Sequence, residues 1–132
     1  MKGVYVLVIE VSRDIDVKIG SLGKVKFTKG LYAYAGSGQN SLFKRIERHL
    51  SDEKKIFWHV DYLLDSGSAK VVRVFYKEGP KSLECRTAAQ LSEYGIGVPG
   101  FGCSDCKCGA HLFRISNLET VLRLGMEEYH FL

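Results

Sequence analysis

Arg45 and His49, one helical turn apart, are the first residues in this sequence whose types and spacing could do chemistry together. A guanidinium is always charged and grips two phosphate oxygens in a fork that an ammonium cannot reproduce. An imidazole beside it can contact the same phosphate or position a water. The plainer alternatives are an arginine stem lying over the core edge and a histidine on the surface of the helix. Two tyrosines, Tyr5 and Tyr34, stand beside glycines Gly3 and Gly36 at strand ends, where a phenol keeps its hydroxyl wet or packs in a core. As a general base, either phenol would need nearby positive charge to lower its pKa from ~10. Glu84, read on spacing alone, is a carboxylate in the first turn of a helix, where the dipole favours it.

A second group is soft. Cys103, Cys106, Cys108 and His111 follow the pattern C-x2-C-x-C-x2-H, with Cys85 elsewhere in the chain. Four such ligands can close a tetrahedral zinc site, but a single tight knuckle lacks the usual distant ligand pair. Thiols in a Gly-rich loop are therefore the first expectation, zinc the second and a disulfide or redox role the third.

The charge is unevenly spread. Between Lys24 and Lys55 eight basic side chains face three acidic ones, a local +5 within a net charge of +4, so the remainder is close to neutral. One face that attracts polyanions is expected, a solvated Lys-rich surface being the alternative.

The elements that must position these residues are readable. At 132 residues, with 45% hydrophobic, 26% charged and two prolines, the chain is expected to be a single domain, 1–132, with a real core. The apolar run Val4 to Ile9 is too short for a signal peptide and no stretch approaches a membrane span, so a cytoplasmic protein is expected. Strands are predicted at 4–10, 31–35, 70–76 and 110–115, with an inserted β-meander at 14–29 turning on Gly20 to Gly23. Residues 36–40 read as a loop leading into a helix over 41–50, whose Leu42, Phe43, Ile46 and Leu50 share one face. A second helix over 53–65 gathers Ile56, Phe57, Val60, Leu63 and Leu64, leaving Lys55, His59 and Tyr62 as a polar strip. A third, over 82–94, has Ser82 as N-cap and Leu83, Thr87, Leu91 and Tyr94 as its buried stripe. A Gly/Cys-rich loop at 95–111 and a short helix at 117–125 complete the reading. The fold class is α+β, a small, mainly antiparallel sheet with packed helices.

The order strand Gly3-Val4-Tyr5, strand Tyr34-Ala35-Gly36, helix Arg45 with His49, helix Glu84 resembles the GIY-YIG nuclease superfamily. More narrowly, Trp58-His59-Val60-Asp61-Tyr62-Leu63-Leu64, Glu84-Cys85 and Phe101-Gly102-Cys103-Ser104-Asp105-Cys106-Lys107-Cys108-Gly109-Ala110-His111-Leu112-Phe113 resemble an uncharacterised prokaryotic branch. That branch is found free-standing or fused to glycosylases of the endonuclease III type, and the resemblance spans nearly the whole chain. Val4 and Ala35 replace isoleucine at packing positions, and the 14–29 meander lengthens the gap between the two tyrosines, so it occludes or reshapes a DNA groove.

The resemblance implies a metal-dependent endonuclease acting on DNA in repair or recombination, with RNA left open and a repair protein as partner. Tyr5, Tyr34, Arg45, His49 and Glu84 would be catalytic, with Glu84 holding Mg2+ or Mn2+ only weakly without substrate. Lys44, Arg48, Lys54 and Lys55 would contact the nucleic-acid backbone. His59 would either bond a loop carbonyl or join them as a substrate contact, and it lies too far round the helix from Asp61 to pair with it. Two rival readings are a non-catalytic nucleic-acid-binding module and a zinc or thiol structural domain. The joint presence of both tyrosines, Arg45, His49 and Glu84 favours the enzyme, provided Arg45 and Glu84 face one hollow.

Overall fold

The computed structural model describes residues 1–52, 55–103 and 106–131. Lys54 of the expected basic set therefore lies outside the described residues. The architecture is α+β. Strands β1 (Gly3–Val11), β4 (Gly30–Gly38), β5 (Ala69–Glu78), β6 (Ile96–Gly97), β7 (Leu112–Ile115) and β8 (Glu127–Tyr129) form one sheet in the order β6-β7-β4-β1-β5-β8. Every pairing in it is antiparallel. Strands β2 (Ile15–Lys18) and β3 (Lys24–Phe27) form a separate two-stranded unit joined by a 3-10 turn at Gly20–Leu22.

The apolar run of β1 is continuous because the strand is covered on both faces. Tyr5, Leu7 and Ile9 point to the side of α1 (Leu42–Leu50) and α2 (His59–Leu64), where Leu42, Ile46, Val60 and Leu63 are fully buried. Val6 and Val8 point the other way, into a second cluster with Ala88 and Leu91 of α3 (Ser82–Ser92) and Val121 of α4 (Glu119–Leu122). The β2–β3 unit is bolted to the first layer by Ile19 and Phe27, both fully buried.

Several boundaries differ from the sequence expectation. The helix expected over 53–65 is only His59–Leu64. Asp61 sets that limit: its Oδ2 accepts the amides of Phe57 and Trp58, both at 2.9 Å, which stops the helix at its N-terminus. Phe57, placed on the buried arc by periodicity, is 73% exposed. β4 runs on through Gly38, where a loop was expected, because Gly36, Ser37 and Gly38 pair with Tyr5, Val4 and Gly3. Ser82 is the first helical residue of α3 and Lys81 its cap, and Tyr94 lies beyond the helix, exposed, with Arg123 against its ring. The strand expected over 110–115 is β7 and starts at Leu112, α4 spans four residues, and β6 and β8 were not foreseen.

Candidate active site and adjoining metal-ligand cluster

Tyr5 sits directly opposite Gly36 in the β1–β4 ladder. A Cβ at residue 36 would come within 2.5 Å of the Tyr5 hydroxyl and ring, so the phenol lies across the bare backbone of that glycine. Its hydroxyl is 2.7 Å from Nε2 of His49, which reaches it from α1. The Tyr34 ring is 6.5 Å from that of Tyr5 and 6.4 Å from that of His49. Gly36→Ala is expected to displace the Tyr5 ring and to cost about 1–3 kcal/mol of overpacking. Thermal denaturation of Gly36→Ala alone and combined with Tyr5→Leu would check this, the second change recovering part of the loss.

Arg45 stands one turn before His49 on α1, and its Nη1 donates to the Ser37 carbonyl at 3.0 Å. Its guanidinium carbon is 4.4 Å from the centre of the Trp58 ring, and that of Arg48 is at the same distance from it. Trp58 is the residue that sequence reasoning missed here. It stood in the quoted motif, but nothing in its spacing signalled that it braces an arginine of another element.

Tyr5, Tyr34, Arg45, Glu84, Trp58 and His59 all line one cavity of about 610 Å3. Arg45 and Glu84 thus face the same hollow. His49 does not line it; at 2% exposure it is buried behind Tyr5 and is no surface histidine. Gly20 and Ser21 of the turn between β2 and β3 also line the cavity.

Of the expected backbone contacts, Lys44 and Lys55 are exposed and outside the cavity wall. Arg48 is engaged within the chain: its two terminal nitrogens reach the two oxygens of Asp61 at 3.1 and 3.0 Å, and one also donates to the Lys55 carbonyl. Asp61 is wholly buried, and its Oδ1 lies 3.8 Å from Nδ1 of His49. His59 does not bond a carbonyl as first expected. Its Nδ1 accepts the Gly102 amide at 2.9 Å, which requires that nitrogen to be unprotonated, and burial lowers its pKa accordingly.

A lowered phenol pKa is not what the site produces in the protein alone. Burial pushes Tyr5 well above its ordinary value of 10.0, and Tyr34 beside it adds to the rise; Arg45 opposes both and is outweighed. Tyr34 is raised as well, by burial first and then by the Glu84 carboxylate. Both phenols therefore hold their protons at neutral pH.

Glu84 has a second neighbour. Its Oε2 is 3.0 Å from Nδ1 of His111, a residue 1% exposed. The ligand atoms of Cys85, Cys106, Cys108 and His111 all lie within 4.8 Å of one another, a Cys3His set that can hold a metal ion. The ligand set expected from spacing was wrong in one member. Cys103 donates its thiol to the Phe101 carbonyl at 3.5 Å and, although it also neighbours the Cys106 thiol, stands outside the set, while Cys85 joins the cluster from the first turn of α3. The distant thiol that the knuckle lacked is thus the residue after Glu84. Cys106 and Cys108 lie in irregular backbone, which frees both thiols from the fixed alternation of a strand.

Among the described residues, no helix is long and apolar enough to cross a membrane. Neither the curated proteins nor the solved structures hold a match to this sequence. A family model, described as a domain of unknown function, DUF123, matches residues 4–130, and the chain belongs to that family.

Proposed function

We propose that this protein is a cytoplasmic, metal-dependent endonuclease that hydrolyses phosphodiester bonds in DNA. The observation that carries the reading is the convergence of Tyr5, Tyr34, Arg45 and Glu84, from four elements, on a single cavity of about 610 Å3. Orienting His111 accounts for one oxygen of Glu84, and its place in the same cavity wall as Arg45 is what favours an enzyme over a binding module.

Each side chain has a task suited to its surroundings. Arg45, steadied by the Ser37 carbonyl and the Trp58 face, forks onto two phosphate oxygens and offsets the charge that builds on phosphorus. The Tyr5 hydroxyl, held by His49, and that of Tyr34 orient the attacking water. Glu84 is the one carboxylate among the described lining residues, and with Oε2 turned to His111 it has a second oxygen to offer. This donor set suits a hard divalent cation that keeps most of its waters and takes the rest of its ligands from substrate phosphate. Mg2+ or Mn2+ bound there supplies Lewis-acid charge to the phosphoryl group.

Nicking assays on supercoiled, flap, bubble and four-way DNA, with the matching RNA forms alongside, test the proposal. Cleavage should need added Mg2+ or Mn2+ and stop when that ion is withheld or chelated. Tight binding with no metal-dependent cleavage of any form would leave a binding module instead.

A further inference from the structure

We infer that Cys85, Cys106, Cys108 and His111 bind one zinc ion, and that Glu84 is the outer carboxylate which orients His111 toward it. The ligand atoms lie within 4.8 Å of one another. Around a zinc with Zn–S of about 2.3 Å and Zn–N of about 2.0–2.1 Å, tetrahedral ligands stand roughly 3.4–3.8 Å apart, so a small inward movement closes the site. Thiolates and an imidazole select zinc or another soft ion and disfavour Mg2+.

The histidine is already aimed. Its Nε2 faces the Cys106 and Cys85 sulfurs at 3.4 and 4.0 Å. Its Nδ1 faces Glu84 at 3.0 Å and the Ala35 carbonyl at 3.3 Å. A proton on Nδ1 donated to a carboxylate, with Nε2 left for the ion, is the arrangement by which proteins fix a metal-binding imidazole. Four protein ligands leave no open position, so the ion is structural and does not itself attack substrate.

The ligands come from α3, from the irregular stretch 106–108 and from the residue before β7. Metal binding therefore pins the first turn of α3 against β4, and with it the carboxylate that lines the cavity. The zinc site stands on its own geometry; only its service to Glu84 as a catalytic group rests on the endonuclease reading.

Metal analysis of the full chain, and Co2+ titration of the stripped protein, test the assignment without reference to cleavage. One equivalent of zinc per chain is expected, and Co2+ should give thiolate charge-transfer absorption with the visible bands of a tetrahedral ion. Cys85→Ser and Cys106→Ser should abolish that signature, and Cys103→Ser should retain it. Should the serine variants not fold, the wild-type Co2+ spectrum and the Cys103→Ser variant still decide. Glu84→Gln should keep the ion but weaken it about 10–100-fold in competition with a chelating dye. No stoichiometric zinc together with no charge-transfer absorption would overturn the site, as would loss of the ion in Cys103→Ser. Unchanged affinity in Glu84→Gln would overturn the part given to Glu84. DNA cleavage that fails while zinc is present would count against the endonuclease reading alone.

Discussion

Arg45→Ala is expected to slow metal-dependent DNA cleavage by on the order of 10²-fold or more, with the fold intact. Among the described residues the side chain donates to the Ser37 carbonyl, reaches the Tyr5 hydroxyl and lies against the indole of Trp58, contacts at the cavity wall and not in the core, so its removal costs little structure. What it removes is the positive fork at the cavity wall, which on the proposed function acts where charge develops on the phosphoryl group. Arg45→Lys should rescue little, because an ammonium at the same place cannot span two oxygens or stack flat on Trp58. The loss should fall on kcat more than on DNA affinity, since the exposed lysines outside the cavity remain. Cleavage rates under single-turnover conditions, with circular dichroism as the control for folding, would measure this. Wild-type rates from Arg45→Ala would mean that the cavity is not where cleavage happens.

Asp61→Ala should cost about 3 kcal/mol of stability, the lower end of the range for breaking a buried ion pair. Asp61 is fully buried, and its carboxylate takes both terminal nitrogens of Arg48 and the amides of Phe57 and Trp58. Removing it leaves those donors without their acceptor, while Arg48, 27% exposed, keeps some contact with water and moderates the loss. The pair also carries a pH signature. Burial alone would raise the Asp61 pKa, but the Arg48 hydrogen bonds and the two amides hold it below its ordinary value of 3.8. A depressed carboxylate contributes fully above its unfolded value and loses that contribution as pH falls through its folded one. Wild-type stability should therefore fall below about pH 4, and Asp61→Asn, less stable at neutral pH, should lack that part of the acid dependence. Urea titrations at several pH values would show it.

The elements that could be read in advance are those whose evidence is local. α1 announced itself because Leu42, Ile46 and Leu50 recur at helical spacing over nine residues, and β1 because its apolar run has no other use. The length of α2 could not be read, since Ile56 and Phe57 fall on the same helical arc as Val60 and Leu63. A single carboxylate, pointing back along the chain, decided the matter. β6 and β8, two and three residues long, exist only because β7 and β5 offer them an edge. At the site, the types of Tyr5, Tyr34, Arg45 and Glu84 were informative, and the meander's place in the cavity wall was half anticipated. The burial of His49 behind Tyr5, the brace from Trp58 and the exchange of Cys103 for Cys85 depend on contacts between distant elements, which spacing does not encode.

The turn at Gly20–Leu22 has one further consequence. Ile19 immediately before it and Phe27 at the close of the same excursion are sunk completely among core residues, while Gly20 and Ser21 form part of the cavity rim. The rim cannot swing outward without drawing those two anchors into water. That part of the wall is therefore a fixed gauge in place of a hinged gate, and on the proposed function choice among incoming strands would fall to their calibre.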